Sequence, residues 1–339
     1  MSDNPFSSHI HVPGWFDEEE DLETFIKEIR QANSYRQSRF TRFAVFYVLF
    51  LLALMWCTAC SNYSPNSTTP TPVVVPVTTP TPTPIPLPPS HKVAELLKFH
   101  DGTVLHNAKT AAIFWGPEWQ DATTEKWIGI NSFLTGFGGS TYAGLANEYG
   151  DSAGLLTTAG QYQGYYNDFS IAGDGTHLQS VIDEVCNVVG GSPDKDTIYI
   201  VFSSTLSKLK NSCGYHTAGY CGNNTNNPYV QAAFIPNLDE ASCNPYDYQS
   251  GHSRGLASIA SVTAHEIMET ITDPLFMGWF DSSNEVGEIG DKCAWAFPKE
   301  LFEFTDGSKW KLQMEWSNKA YLDGTGMSNL QQQYGCIYR

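Results

Sequence analysis

Residues 255–272, GLASIASVTAHEIMETIT, decide how the rest of the chain is read. Small side chains at Ala257, Ser258, Ala260, Ser261 and Ala264 predict a helix that packs closely and is largely buried. Asp273-Pro274 closes it, because proline disfavours helix in the residue before it. Within this helix His265 and Glu266 begin the His-Glu-x-x-His signature of zinc peptidases, and Glu269 stands where the second histidine is expected. Residues one helical turn apart project from the same face. An imidazole nitrogen of His265 and a carboxylate oxygen of Glu269 can therefore reach one divalent cation. Glu266 leaves the helix at a different angle, where in such sites the glutamate takes the proton of a metal-bound water. Glutamate in place of histidine keeps a ligand but makes the site harder and more negative. Zinc is the leading metal, with manganese or calcium behind it. The competing reading is an ordinary helix that spells half a motif. Against it, a buried face carrying three ionisable groups in five positions is costly unless they are paired or bind a metal.

A catalytic zinc commonly takes three protein ligands and keeps one position for water. NEVGEIGDKC, residues 284–293, offers Glu288 or Asp291 as the third, bracketed by Gly287 and Gly290, which allow close backbone approach, with Asp273 behind them. His216, in CGYH (213–216), is a candidate to assist the metal or to donate to a developing oxyanion. A structural role beside the cysteines is its alternative. Trp115, Trp279, Phe280 and Trp316 are expected in the core rather than in a cleft.

Outward from this helix, TAAIFWG (110–116), TIYIVFSS (197–204) and YVQAAFIP (229–236) read as strands, and WKLQMEWSN (310–318) as a late one. ATTEKWIGINSFLTGF (122–137), YAGLANEYG (142–150) and HLQSVIDEVCNVV (177–189) read as helices. Strands followed by the His265 helix predict an α/β (α+β) layered domain, a zincin-like order in which a mixed sheet precedes the active-site helix.

The remainder of the 339 residues is divided by composition. FAVFYVLFLLALMWCTAC, residues 43–60, is an apolar run of about 18 residues, near the minimum for spanning a bilayer. Lys27, Arg30, Arg36, Arg39 and Arg42 precede it and no Lys or Arg follows until Lys92, which places residues 1–42 in the cytoplasm and the rest outside. A lipoprotein anchored through Cys60 is the weaker alternative, since Cys57 sits where leucine is usual. The acidic block DEEEDLE (17–23) reads as a solvated tail. Residues 61–92, rich in Thr-Pro, predict an extended spacer. Residues 93–339 are then one extracytoplasmic domain. The formal net charge of -17 argues against nucleic acid as a partner. No oligomeric state is specified. Cys186, Cys213, Cys221, Cys243, Cys293 and Cys336, an even number in an exported domain, predict three disulfides. Cys213–Cys221 is expected as a local clip and Cys293–Cys336 as a C-terminal staple.

Taken together, AIFWGPEW (112–119), IYIVFSS (198–204), CGYH (213–216), LASIASVTAHEIMETITDP (256–274), MGWFD (277–281) and GEIGDKC (287–293) resemble the phosphate-induced, Exordium-like family, its bacterial members in particular. The resemblance spans most of residues 105–336. It implies an extracellular location, and for members keeping the ionisable set at 265, 266 and 269 a zincin-fold metalloprotein. Plant members look to retain only features matched here by Thr272-Asp273-Pro274 and Gly278-Trp279. The resulting expectation is a membrane-anchored metallohydrolase acting on peptide or protein substrates. His265, Glu269 and Glu288 or Asp291 would be its ligands and Glu266 its general base. The rival is a non-catalytic cell-surface domain. A glycosidase using Glu266 and Glu269 as its carboxylate pair is disfavoured, because both lie on one helix and cannot easily bracket a glycosidic bond.

Overall fold

TIYIVFSSTL (Thr197–Leu206) and KTAAIFW (Lys109–Trp115) are rich in β-branched and aromatic residues, and both are buried on two faces. Such continuous apolar runs suit the interior of a parallel sheet covered on both sides. In the computed structural model they are the central strands of a five-stranded sheet. The structure describes residues 94–156, 160–209, 212–239, 243–281 and 287–338, all within the compact unit Pro88–Arg339. The expected cytoplasmic tail, membrane span and spacer lie outside the described residues.

In chain order the main elements are β1 (Lys109–Trp115), α1 (Glu125–Phe137), β2 (Gln161–Asp168), α2 (Leu178–Val189), β3 (Thr197–Leu206), β4 (Tyr215–Tyr220), β5 (Tyr229–Asn237) and α3 (Arg254–Thr272). A smaller C-terminal part follows, with β6 (Glu315–Trp316), α4 (Asn318–Asp323), β7 (Met327–Ser328) and β8 (Tyr334–Ile337). The main sheet runs β2-β1-β3-β5-β4. Its first four strands are parallel, while β4 pairs antiparallel with β5 at the edge.

Alternation along the strands builds two cores. Ile198, Ile200 and Phe202 face α1 and α3, whereas Tyr199 and Val201 face α2. On the first side Ile267 and Met268 of α3 are fully buried, each contributing about 1.5–3 kcal/mol by leaving water. Gly129 lets α1 approach α3, since a Cβ there would lie 2.3 Å from Leu256 Cδ2. Ser253 caps α3 by accepting from Leu256 N, and Asp273 ends it.

The long strands and helices form where the sequence places them. Residues 143–149 form a 3-10 segment rather than an α-helix. The expected strand 310–318 is broken, because Lys309–Trp310 pairs with Phe302–Glu303 while β6 pairs with β8. Strands β2 and β4 are additions to the expected set.

The six cysteines among the described residues pair, as Cys186–Cys221, Cys213–Cys243 and Cys293–Cys336. The C-terminal staple is present, but the Cys213–Cys221 clip is not. Those two cysteines flank β4, whose six extended residues separate them by about 20 Å, far beyond disulfide reach. No helix among the described residues is long and apolar enough to cross a membrane. Residues 43–60 are not among them.

Candidate metal centre

α3 delivers three of the candidate residues. His265, Glu266 and Glu269 each offer a ligand atom within 4.8 Å of the others. His265 Nε2 lies 3.0 Å from Glu269 Oε1, one turn along the helix. Glu266 and Glu269 are both 4% exposed. The Glu266 carboxylate has no hydrogen bond or ion pair among the described residues.

The GEIGD loop supplies the opposite wall, and it contributes both of its acids. Asp291 Oδ1 comes 3.5 Å from His265 Nε2, and its backbone N–H donates to Glu269 Oε1 at 3.1 Å. Glu288 Oε2 comes 3.2 Å from His216 Nε2. The sequence left a choice between Glu288 and Asp291; the fold places one beside each histidine. Gly290 makes the approach possible, because a Cβ there would stand 2.7 Å from His265 Nδ1. A second set, His216, Glu269 and Glu288, also offers ligand atoms within 4.8 Å of one another.

His216 enters from β4. It is paired with Ala233 of β5, whose side chain belongs to the α3 side of the sheet, and so projects toward the helix. Neither Asp291 nor Asp273 joins either set, although Asp291 borders His265. The Asp273 Oδ1 atom accepts from Gly278 N at 2.6 Å and fixes the turn after α3.

Two groups at the centre were not legible as site residues. Gln313 Nε2 donates to His265 Nδ1 at 2.7 Å and to the Gly290 carbonyl at 3.0 Å. Glu315 of β6 is fully buried behind the cluster and accepts from the Tyr142 hydroxyl. These groups sit far along the chain in apolar context, and no local pattern marks them. The loop itself is pinned by Lys292, buried 2.8 Å from Asp281 Oδ2 and stacked 4.7 Å from the Trp316 ring.

Burial and crowded like charges set the electrostatics of the centre. Burial raises the Glu269 carboxyl well above its ordinary value, and Asp291's charge adds to this. Burial likewise lifts Glu266 to about 7, against the pull of His265 and His216. Glu315 rises to about 8 by burial. Burial acts to lower His216, but Glu288 and the other carboxylates override it and hold the imidazole at about 10. His265 is raised for the same reason, chiefly by Glu269 against its own burial. A divalent cation would displace these protons and balance the carboxylates in their place. The cluster thus has the residue types and spacing to hold a metal ion. An open cavity lined by Lys109, Ala111, Gln163, Asp194 and Tyr199 contains none of these residues, and Ala111 and Tyr199 belong to the opposite, α2 side of the sheet.

Comparison with known proteins adds no relative: no family model, no curated protein and no solved structure matches the chain.

Proposed function

We propose that the chain is a metal-dependent hydrolase of peptide bonds, with a zincin-like arrangement of helix and mixed sheet. In this reading residues 43–60 tether it to a membrane with the catalytic domain outside the cytoplasm, a location that suits three disulfides. The observation that carries the proposal is the buried Glu266 carboxylate, which offers an atom within 4.8 Å of those of His265 and Glu269.

A mixed nitrogen and oxygen donor set favours zinc, with manganese or calcium as weaker candidates. When bound, such an ion lowers the pKa of its water and polarises a carbonyl. His265, Glu269 and Asp291 hold the ion. Glu266, whose carboxylate lies within 4.8 Å of the His265 and Glu269 ligand atoms, is placed to accept a proton and pass it to the leaving amine. His216 is engaged with Glu288 and Glu269, which makes it part of the ligand array rather than an oxyanion donor.

Elemental analysis of the purified protein tests the metal, with a stoichiometric ion expected in wild type and lost in His265→Ala. A metal-free native protein would end this reading. Glu266→Gln is expected to keep the ion and lose hydrolysis of a peptide library by about 10²–10⁴-fold. Undiminished cleavage by that variant would remove Glu266 from the base role.

A second reading is a non-catalytic binding domain with a structural metal. The deep burial of Glu266 and Glu269 favours it. Stoichiometric metal with no cleavage of any peptide by wild type is the outcome that would select it.

A further inference from the structure

The two oxygens of Glu269 face different imidazoles. Oε1 lies 3.0 Å from His265 Nε2, whereas Oε2 lies 4.0 Å from His216 Nε2. The loop carboxylates divide in the same way, Asp291 standing 3.5 Å from His265 and Glu288 3.2 Å from His216. The two ligand sets, His265–Glu266–Glu269 and His216–Glu269–Glu288, share Glu269, and neither contains both histidines; Asp291 borders the first through His265. An ion with bonds of about 2.0–2.2 Å gathers donors no more than about 4.4 Å apart, so one ion cannot serve groups on both sides of this carboxylate unless the walls move inward.

We propose that the centre holds two divalent cations bridged by the Glu269 carboxylate. His265 and Asp291 complete one position, and His216 and Glu288 complete the other. The proposal rests on the metal reading above and extends it.

Two further observations support a second position on the His216 side. The His216 side chain is only 6% exposed and turns Nε2 into the centre. The Glu288 Oε2 atom is buried and makes no hydrogen bond, although it stands 3.2 Å from that nitrogen. His216 Nε2 also lies within hydrogen-bond distance of Glu288 Oε1, at 3.4 Å, so the two side chains meet face to face and a cation could take over that nitrogen and the carboxylate as ligands. Charge points the same way. Glu266, Glu269, Glu288 and Asp291 are four carboxylates in one site, the first three largely buried, and with all four ionised a single dication would leave half of their charge unbalanced. Two dications match it. Paired ions bridged by a carboxylate typically stand about 3.5–4 Å apart and can stabilise both the attacking and the departing atom of a hydrolysis.

The test is metal stoichiometry on the full chain, stripped with chelator, titrated with zinc and weighed by native mass spectrometry. Two zinc ions per chain are expected in wild type, and one in His216→Ala. Glu288→Gln, which keeps the side chain's volume, should also hold one, and it carries the result if His216→Ala does not fold. One ion in wild type overturns the two-ion centre and leaves the single-ion reading standing; none overturns both. Two ions retained by both variants would overturn the assignment of His216 and Glu288. The manganese-loaded protein adds an independent readout. Spin-coupled resonance is expected at full loading, and isolated-ion spectra alone would count against the bridge.

Discussion

At the residue scale, Gln313 orients a candidate ligand, His265, without belonging to either donor set. Its amide lies against His265 Nδ1 and the Gly290 carbonyl at once, so one side chain joins the α3 ligand to the loop that carries Asp291. A cation on Nε2 requires the imidazole proton on Nδ1, where an amide oxygen can accept it after the amide turns over. Gln313→Leu removes that acceptor while keeping an apolar volume in a buried place. We expect zinc affinity to fall by about 10–100-fold, the usual effect of losing an outer partner of a ligating histidine. Competition with a chromophoric chelator measures it, and an affinity equal to that of wild type would show that Gln313 only fills space.

At the element scale, legibility followed burial. β1, β3, β5 and α1 to α3 each carry an apolar pattern strong enough to be read from sequence, because they are packed from both sides or along a full stripe. QYQGYYND of β2 and YHTAGY of β4 were missed. Both are edge strands with one bonded neighbour, interrupted by glycine and polar residues. The miss had a cost at the site, because β4 is the element that aims His216. His265, Glu266 and Glu269 were legible because one helix fixes their spacing; the split of Glu288 and Asp291 between two histidines was not, because it depends on where β4 docks.

The partnership of β2 and α2 yields a prediction away from the centre. Glu184 of α2 is 7% exposed and its carboxyl is lifted to about 7 by burial, then by the charge and hydrogen bonding of Asp168 at the end of β2. A carboxyl whose pKa is raised on folding stabilises the fold in its protonated form. That contribution is complete below its ordinary value of 4.5 and is lost as pH rises through about 7. Glu184→Gln imitates the protonated group at every pH. The variant should therefore gain on wild type between pH 5 and 8, by on the order of 1 kcal/mol. Denaturant unfolding of both proteins across that range measures the difference, and parallel pH profiles would refute the assignment.

At the scale of the whole molecule, the centre depends on a covalent link between distant parts. Cys293 directly follows the Asp291 turn, while Cys336 lies in β8 and is paired in register with Trp316 of β6. Trp316 N in turn donates to the Ile289 carbonyl at 2.9 Å, so the small sheet and the disulfide hold the same loop from two sides. The sequence suggested this staple but misassigned Cys213 and Cys221, since the strand between them was not seen. A cross-link spanning 43 residues limits the unfolded chain by about 4 kcal/mol in the loop-entropy account. Replacing both cysteines, Cys293→Ser with Cys336→Ser, should lower the metal-free unfolding midpoint for that reason alone. Its second effect is separable. An ion that binds only the folded state raises the midpoint with the logarithm of its affinity at a fixed ion concentration, and a loosened GEIGD loop presents Glu288 and Asp291 less accurately. The rise in midpoint on adding saturating zinc should therefore be smaller in the double variant than in wild type, with far-UV circular dichroism of the main sheet unchanged. An equal rise in both proteins would show that β6 and β8 position the ligand loop without the disulfide.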